Sequence, residues 1–219
     1  MPSSIPSFVS AAWACAALAA TLPVAAQDKA GLYVSALAGT SSLASTHVTE
    51  SRPGAATLSG PARLGNGMGW GGAIGHRYGN GWAAELAWDY RSHPIERIAG
   101  TSVSGDFAST VAFLNGYYRF QKMGPVRPFV GLGLGYVTEM DIDISRDGTE
   151  QEFSRRGGLA TQAIVGGEID LTERWSVSAD LRWSRMGSGA FKATQAGAAL
   201  GGEPKYQPTS LNVGLAFRF

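Results

Sequence analysis

The sequence predicts an all-β chain, an eight-stranded antiparallel up-and-down transmembrane β-barrel, on three observations. Apolar and polar residues alternate with period two along several segments, which places one class of side chain on each face of a strand. The segments are joined by connections that alternate between short and long. Charged residues make up only 16% of the 219 and mean hydropathy is −0.02. That is poor in charge for a soluble domain and too polar for a helical membrane protein.

The first element is an export signal. Phe8 to Ala26 is uncharged, rich in Ala, Leu and Val, and ends in small residues ahead of Asp28 and Lys29, which predicts cleavage after Ala26. Residues 1–26 are therefore expected to be a signal peptide and residues 27–219 the barrel domain, although Met1 to Ser7 lack the usual basic residue. Cys15, the only cysteine, falls within the signal, so the mature chain is expected to contain no disulfide and no Cys-based metal site. After Ala26 no run is long and apolar enough to cross a bilayer as a helix.

The clearest strand is Trp82 to Arg91, where Trp82, Ala84, Leu86, Trp88 and Tyr90 alternate with Ala83, Glu85, Ala87, Asp89 and Arg91. Trp175 to Ser184 repeats the pattern, and so do the last eleven residues, with Leu211, Val213, Leu215, Phe217 and Phe219 on one face. Weaker versions at Gly31 to Thr40, Gly67 to Tyr78, Phe107 to Phe120, Pro128 to Met140 and Gly157 to Leu171 complete the eight. Short turns lie at Gly79 to Gly81, Gln121 to Arg127 and Thr172 to Arg174. Long loops are expected at Ser41 to Asn66, Ser92 to Asp106, Asp141 to Arg156 and Arg185 to Pro208. Short turns at one end and long loops at the other describe an outer-membrane barrel with its short ends in the periplasm.

Aromatic spacing separates this reading from a soluble barrel with an apolar core. Trp70 and Tyr78, Trp82 and Tyr90, and Trp175 and Trp183 are each eight residues apart on one face. Eight residues of a tilted strand rise about 20 Å, close to the ~25 Å apolar band between interfacial aromatic girdles. The opposite face then lines the lumen, with Glu85, Asp89, Arg91, Asn115, Arg119, Gln162, Glu168, Asp170, Asp180, Arg182, Asn212 and Arg218. Eight strands leave room only for side chains, and charges buried there must pair, so a plugged ion-pair network is expected. Gly131, Gly133 and Gly135, and likewise Gly71 and Gly75, share a face and leave space for larger lumen side chains.

These features resemble the bacterial outer-membrane β-barrel family that includes the opacity-type surface antigens and the OmpA-like barrel domains. The resemblance spans essentially the whole mature chain, through Gly75-His76-Arg77-Tyr78, Asn115-Gly116-Tyr117-Tyr118-Arg119-Phe120, Pro128-Phe129-Val130-Gly131-Leu132-Gly133 and the final strand. That strand is similar to the signal read by the barrel-assembly machinery, through Asn212, Gly214, Phe217 and Phe219. The resemblance implies the cell outer membrane as location, with its lipid and lipopolysaccharide as surroundings. It does not settle function, because relatives include adhesins, structural proteins, small pores and enzymes.

Chemistry is sparse. A net charge of +1, from 18 Lys and Arg against 17 Asp and Glu, provides no field for nucleic acid. Gly67-Met68-Gly69-Trp70-Gly71-Gly72 has the letters of a dinucleotide fingerprint, but no helix pattern follows it. Asp143 to Gly148 begins like a calcium loop, yet position twelve is Ser154 where a Glu is needed. No cofactor and no metal are expected. His47 and His93, in the first two long loops with Ser45, Ser92, Glu96 and Asp106, keep a lipid A-modifying enzyme open as an alternative. The deacylase pattern places Ser and His on late strands, and no His follows His93. The leading expectation is a surface protein acting through its extracellular loops in contact, adhesion or envelope structure, with a small pore as the third reading.

Overall fold

A computed structural model describes residues 30–146, 148–202 and 204–219. The expected signal peptide lies outside these residues.

The described chain is all-β. Its strands are β1 (Gly31–Leu43), β2 (Thr46–Ser51), β3 (Leu58–Leu64), β4 (Gly67–Arg77), β5 (Trp82–Ile98), β6 (Thr101–Ser102), β7 (Ser104–Arg119), β8 (Val126–Arg146), β9 (Thr149–Arg155), β10 (Leu159–Asp170), β11 (Trp175–Met186), β12 (Lys192–Ala193), β13 (Ala199–Gly201) and β14 (Pro208–Arg218). Eight of them, β1, β4, β5, β7, β8, β10, β11 and β14, pair antiparallel in that order, and β14 returns to β1 to close the barrel. Closure removes every edge in the membrane, where an unpaired backbone group costs several kcal/mol (~).

The four long connections are not the open loops that the sequence suggests. β5, β7 and β8 run on beyond the barrel, and hairpin β2–β3 pairs with β5 while β9 pairs with β8. The connection between β11 and β14 contributes β12 to β9 and β13 to β2, and these two short strands come alongside one another. The result is a second ring, β3-β5-β7-β8-β9-β12-β13-β2, sharing three strands with the first. We call the two rings the membrane tier and the outer tier.

Two irregularities hide this from a period-two reading. Between Thr110 and Val111 the β7–β8 register shifts, with Thr138 left as the extra residue on β8 and its hydroxyl donating to Thr110 O at 3.0 Å. Inward positions on β8 are odd up to Val137 and even from Met140 to Ile144. A second shift on β5, between partners Ile95 and Arg97, does the same beside β3. Each bulge flips the phase of the strand beyond it.

The interior is consequently layered. In the membrane tier it is polar and charged. In the outer tier it is an apolar core in which Ile98, Phe107, Val111, Phe113, Val137, Met140, Ile142, Ile144 and Phe153 are almost fully buried.

Candidate functional site

The outward face of the membrane tier is apolar, with Leu86, Leu114, Leu132, Leu134, Val213 and Leu215 exposed between two levels of aromatics. Trp70 lies across from Tyr90 at the outer level, with ring centroids 5.9 Å apart, and Trp88 packs on Trp70 at 4.9 Å. At the periplasmic level Trp82 meets Tyr118 at 5.1 Å and Trp175 meets Phe217 at 4.9 Å. Trp70, Tyr78, Trp82, Trp175 and Trp183 are exposed and Tyr90 is half-buried on the same face. Trp88, Tyr118 and Tyr136 extend the girdles beyond the six residues singled out by spacing.

The lumen residues fall into two buried clusters. Nearer the periplasm, Glu168 accepts from Arg77 at 2.9 Å and from Arg119 at 2.5 Å. Glu85 accepts from Tyr33 Oη at 2.9 Å, Asn115 Nδ2 at 3.1 Å and Tyr117 Oη at 3.1 Å, and Gln162 donates to Asn115 at 2.7 Å. Further out, Asp89 accepts from Arg91 at 3.0 Å and Arg182 at 3.3 Å. Arg182 also holds Asp180 at 2.9 Å, and Asp180 accepts from Asn212 at 2.9 Å. Between the clusters is a cavity of about 70 Å³ bordered by Tyr33, Arg77, Glu85, Tyr117, Arg119 and Arg182, room for a few waters at most. Arg218 lies apart, at the periplasmic mouth, 3.5 Å from Asp170, which also binds Lys122 at 2.8 Å.

The glycine faces make these clusters possible. A Cβ at Gly75 would lie 2.4 Å from the Tyr33 ring, one at Gly133 2.2 Å from Asn115 Oδ1, and one at Gly71 2.6 Å from Asp89 Oδ1. Glu85 and Asp89 do not share a site: each has its own donors, so no paired acid and base arises. Sequence reading missed Tyr33, Arg77 and Tyr117. The alternation around Tyr33, with Leu32 and Val34 outward, was the available signal.

Above the outer cluster, His93 is fully buried. Its Nδ1 is 3.0 Å from Tyr206 Oη, and Tyr206 stacks edgewise on Phe107 at 4.6 Å. Burial, reinforced by Arg91, pushes the His93 imidazole down to about 4. The top of the outer tier is polar again: fully buried Glu50 accepts from Arg52 at 2.6 Å, and Arg52 also donates to Thr149 O at 3.0 Å, tying hairpin β2–β3 to hairpin β8–β9.

The histidines therefore do not meet the expectation of a shared rim site. His47 is exposed on β2, His93 is sealed inside β5, and Ser92 donates to Asp106 rather than to a histidine. The calcium-like segment is the paired end of hairpin β8–β9, with Asp143 facing Glu152 and Asp106 across the strands, and no group of acids or histidines able to hold a metal occurs among the described residues. At the C-terminus, Asn212 and Gly214 face the lumen, Phe217 packs between Trp175 and Phe219, and Phe219 is exposed.

A closed barrel, a lipid-ready belt and a paired lumen agree with a match of residues 11–219 to the family described as outer membrane protein beta-barrel domain. The chain belongs to this family. Its place is the outer membrane. Among solved outer-membrane barrels, the structure is similar to OprG of Pseudomonas aeruginosa (TM-score 0.58, 14% identity, 88% of this chain and 99% of that one). It is also similar to Neisserial surface protein A (TM-score 0.52, 18% identity, 88% and 100%). At these identities the likeness shows the fold alone, and the fold extends to a protease, OmpT of Escherichia coli (TM-score 0.50, 9% identity, 91% and 99%). A local match of 36% identity over 76 residues links the chain to the dibenzothiophene metabolism operon protein PahQ of Pseudomonas aeruginosa. It covers 35% of this chain and 34% of that protein, so the chain matches about a third of the relative's length.

Proposed function

We propose that this outer-membrane barrel works through its outer tier, as a surface-contact and envelope protein, and not as a conducting pore. The carrying observation is the stacked interior: a paired ion network in the membrane tier with a packed apolar core above it. An ordered tier offers a partner a surface with little entropy left to lose on binding. Cells producing the protein should gain binding to host-cell or matrix-coated surfaces over cells that lack it, and purified protein in planar bilayers should show no stable conductance. Ion-selective steps, or binding that does not depend on production of the protein, would overturn the reading.

A second reading is entry of small aromatic compounds, favoured by the apolar interior of the outer tier together with the name of the relative PahQ. Its measurement is accumulation of dibenzothiophene by cells with and without the protein. A rate that rises with production replaces the contact reading, whereas an unchanged rate removes this one.

A further inference from the structure

The membrane tier is closed by ladder hydrogen bonds all the way round, and the outer tier is not. Followed from strand to strand, the pairing ends at β12 beyond β9 and at β13 beyond β2, and no ladder joins β12 to β13 among the described residues. The wall between β9 and β2 is therefore filled by a tongue, residues 187–202 of the β11–β14 connection, which carries both short strands.

The tongue is lightly held. Lys192 and Ala193 face Ser154 and Phe153 on one flank, and Ala199 to Gly201 face Ser51 to Thr49 on the other. Thr194 N donates to Glu152 O at 3.0 Å and Gln195 Nε2 to Glu150 O at 3.2 Å. Phe191 is buried in the outer core, while Ala193, Ala198 and Leu200 are only partly buried against it. Gly187, Gly189, Gly197, Gly201 and Gly202 are five of the sixteen residues, and glycine regains the most backbone freedom on release. The two flanks are tied to each other without the tongue, because Arg52, just after β2, donates to Thr149 O on β9 at 3.0 Å. Its neck is fixed as well: Met186 N donates to Tyr206 O at 3.1 Å, and the Tyr206 hydroxyl is held by His93.

Arg155, buried at the end of β9, reaches inward and grips the tongue at two points. Its Nη2 donates to Gly187 O at 2.6 Å and its guanidinium lies over the Phe191 ring at 5.4 Å. A bond from Nη1 to Gly157 O at 3.1 Å, within its own turn, braces the guanidinium in place. A Cβ at Gly189 would lie 3.0 Å from that same Nη1, so the tongue passes close against it.

We propose that residues 187–202 are a hinged lid of the outer tier, shut in this structure, with Arg155 as its latch and the Met186–Tyr206 neck as its hinge. Lifting it takes β12 off β9 and β13 off β2, draws out Phe191, and bares to the external medium the Phe107 ring, whose centroid is 6.2 Å from that of Phe191. The membrane tier is untouched, since the lid begins after β11 and ends before β14. An element with short ladders and little buried apolar surface opens locally, at a free energy well below that of global unfolding.

The test uses the purified full-length protein, carrying Cys15→Ser, in nanodiscs of zwitterionic lipid, with Ala62→Cys as reporter. Ala62 is 2% exposed, within the outer core on β3. Labelling by a water-soluble maleimide is expected to proceed without denaturant, and about ten-fold faster in Arg155→Gln, which removes the charge and the ring contact of the latch. A disulfide between Ser154→Cys and Lys192→Cys, opposite one another on β9 and β12, formed first and verified by mass, should stop the labelling, with recovery on reduction. Labelling that persists behind the disulfide overturns the proposal, because the thiol is then reached by another route. So does a thiol that never reacts, or an Arg155→Gln rate equal to that of the native chain. The disulfide decides the matter with Arg155 in place if Arg155→Gln fails to assemble.

Discussion

Arg182 on β11 donates to Asp89 on β5 across 3.3 Å, and because those strands are not neighbours in the barrel, the contact crosses the lumen. It joins two carboxylates, since the same guanidinium grips Asp180 through Nε and Nη2. Arg182→Met would leave Asp180 with Asn212 alone and strip Asp89 to Arg91. Removing one partner of a buried ion pair costs about 3–5 kcal/mol. Urea unfolding of the reconstituted protein should show a loss of that size, and planar-bilayer recordings of the variant should show leak currents that the wild type lacks.

Gly75 faces Tyr33 across the β1–β4 pair, and the missing Cβ is what lets the phenol reach Glu85. Gly75→Ala should therefore destabilise by about 1–3 kcal/mol through overpacking. The same substitution at Gly116, where a Cβ would meet nothing within 4 Å, should be nearly neutral. Equal losses at the two positions would mean that glycine acts here through strand flexibility and not through space.

The membrane tier was legible because a barrel wall between lipid and lumen imposes strict alternation: Trp82 to Arg91 shows it without interruption. The outer tier was not, for two physical reasons. The bulges at Thr138 and next to Glu96 reverse which parity faces inward, so Met140, Ile142 and Ile144 look out of step with Val137. Strands β12 and β13 also draw their hydrogen bonds from segments distant in sequence, as in Leu200 with Glu50 and Lys192 with Ser154. Pairing of that kind leaves no local period. The His93–Tyr206 contact, 113 residues apart, was illegible on the same ground.

The outer tier should respond to pH through its acidic face. Burial, and then Glu139, Asp143 and Glu152, push Asp141 up to about 6 from 3.8. A raised carboxyl means that the folded state holds a proton which the unfolded state has released, so this group's contribution improves as pH falls from about 6 towards 3.8. His93 acts in the opposite sense: held down to about 4, it costs stability as pH falls below 6.5. Asp141→Asn isolates the first effect. The variant should melt higher than wild type at pH 7, and the gap should narrow by pH 5 and close near pH 4. A gap independent of pH would show that Asp141 does not titrate in this range.

Phe219 is exposed and stacks edgewise on Phe217 at 5.3 Å, contributing little to the interior. Deleting it should leave the melting of refolded protein within about 0.5 kcal/mol of wild type, as for a surface change, while slowing insertion in cells, followed by pulse-chase and protease sensitivity. Unchanged insertion would sink the assembly-signal reading of Asn212, Gly214, Phe217 and Phe219.

The two tiers share β5, β7 and β8, so whether they unfold together is a question about coupling. Phe153 tests it, because it is fully buried in the outer core on β9, a strand paired only with β8 and β12. Phe153→Ala should cost about 3–5 kcal/mol, as for an aromatic truncated in a packed core. Since β10, β11, β14, β1 and β4 make no contact with β9 in their pairing, that loss should fall on the outer tier. Limited proteolysis should then cut within residues 149–158 or 187–202, which carry β9, β12 and β13, while the membrane tier keeps its heat-modifiable mobility on gels. Loss of both together would mean that the shared strands bind the tiers into one cooperative unit, with the ion network relying on the apolar core above it.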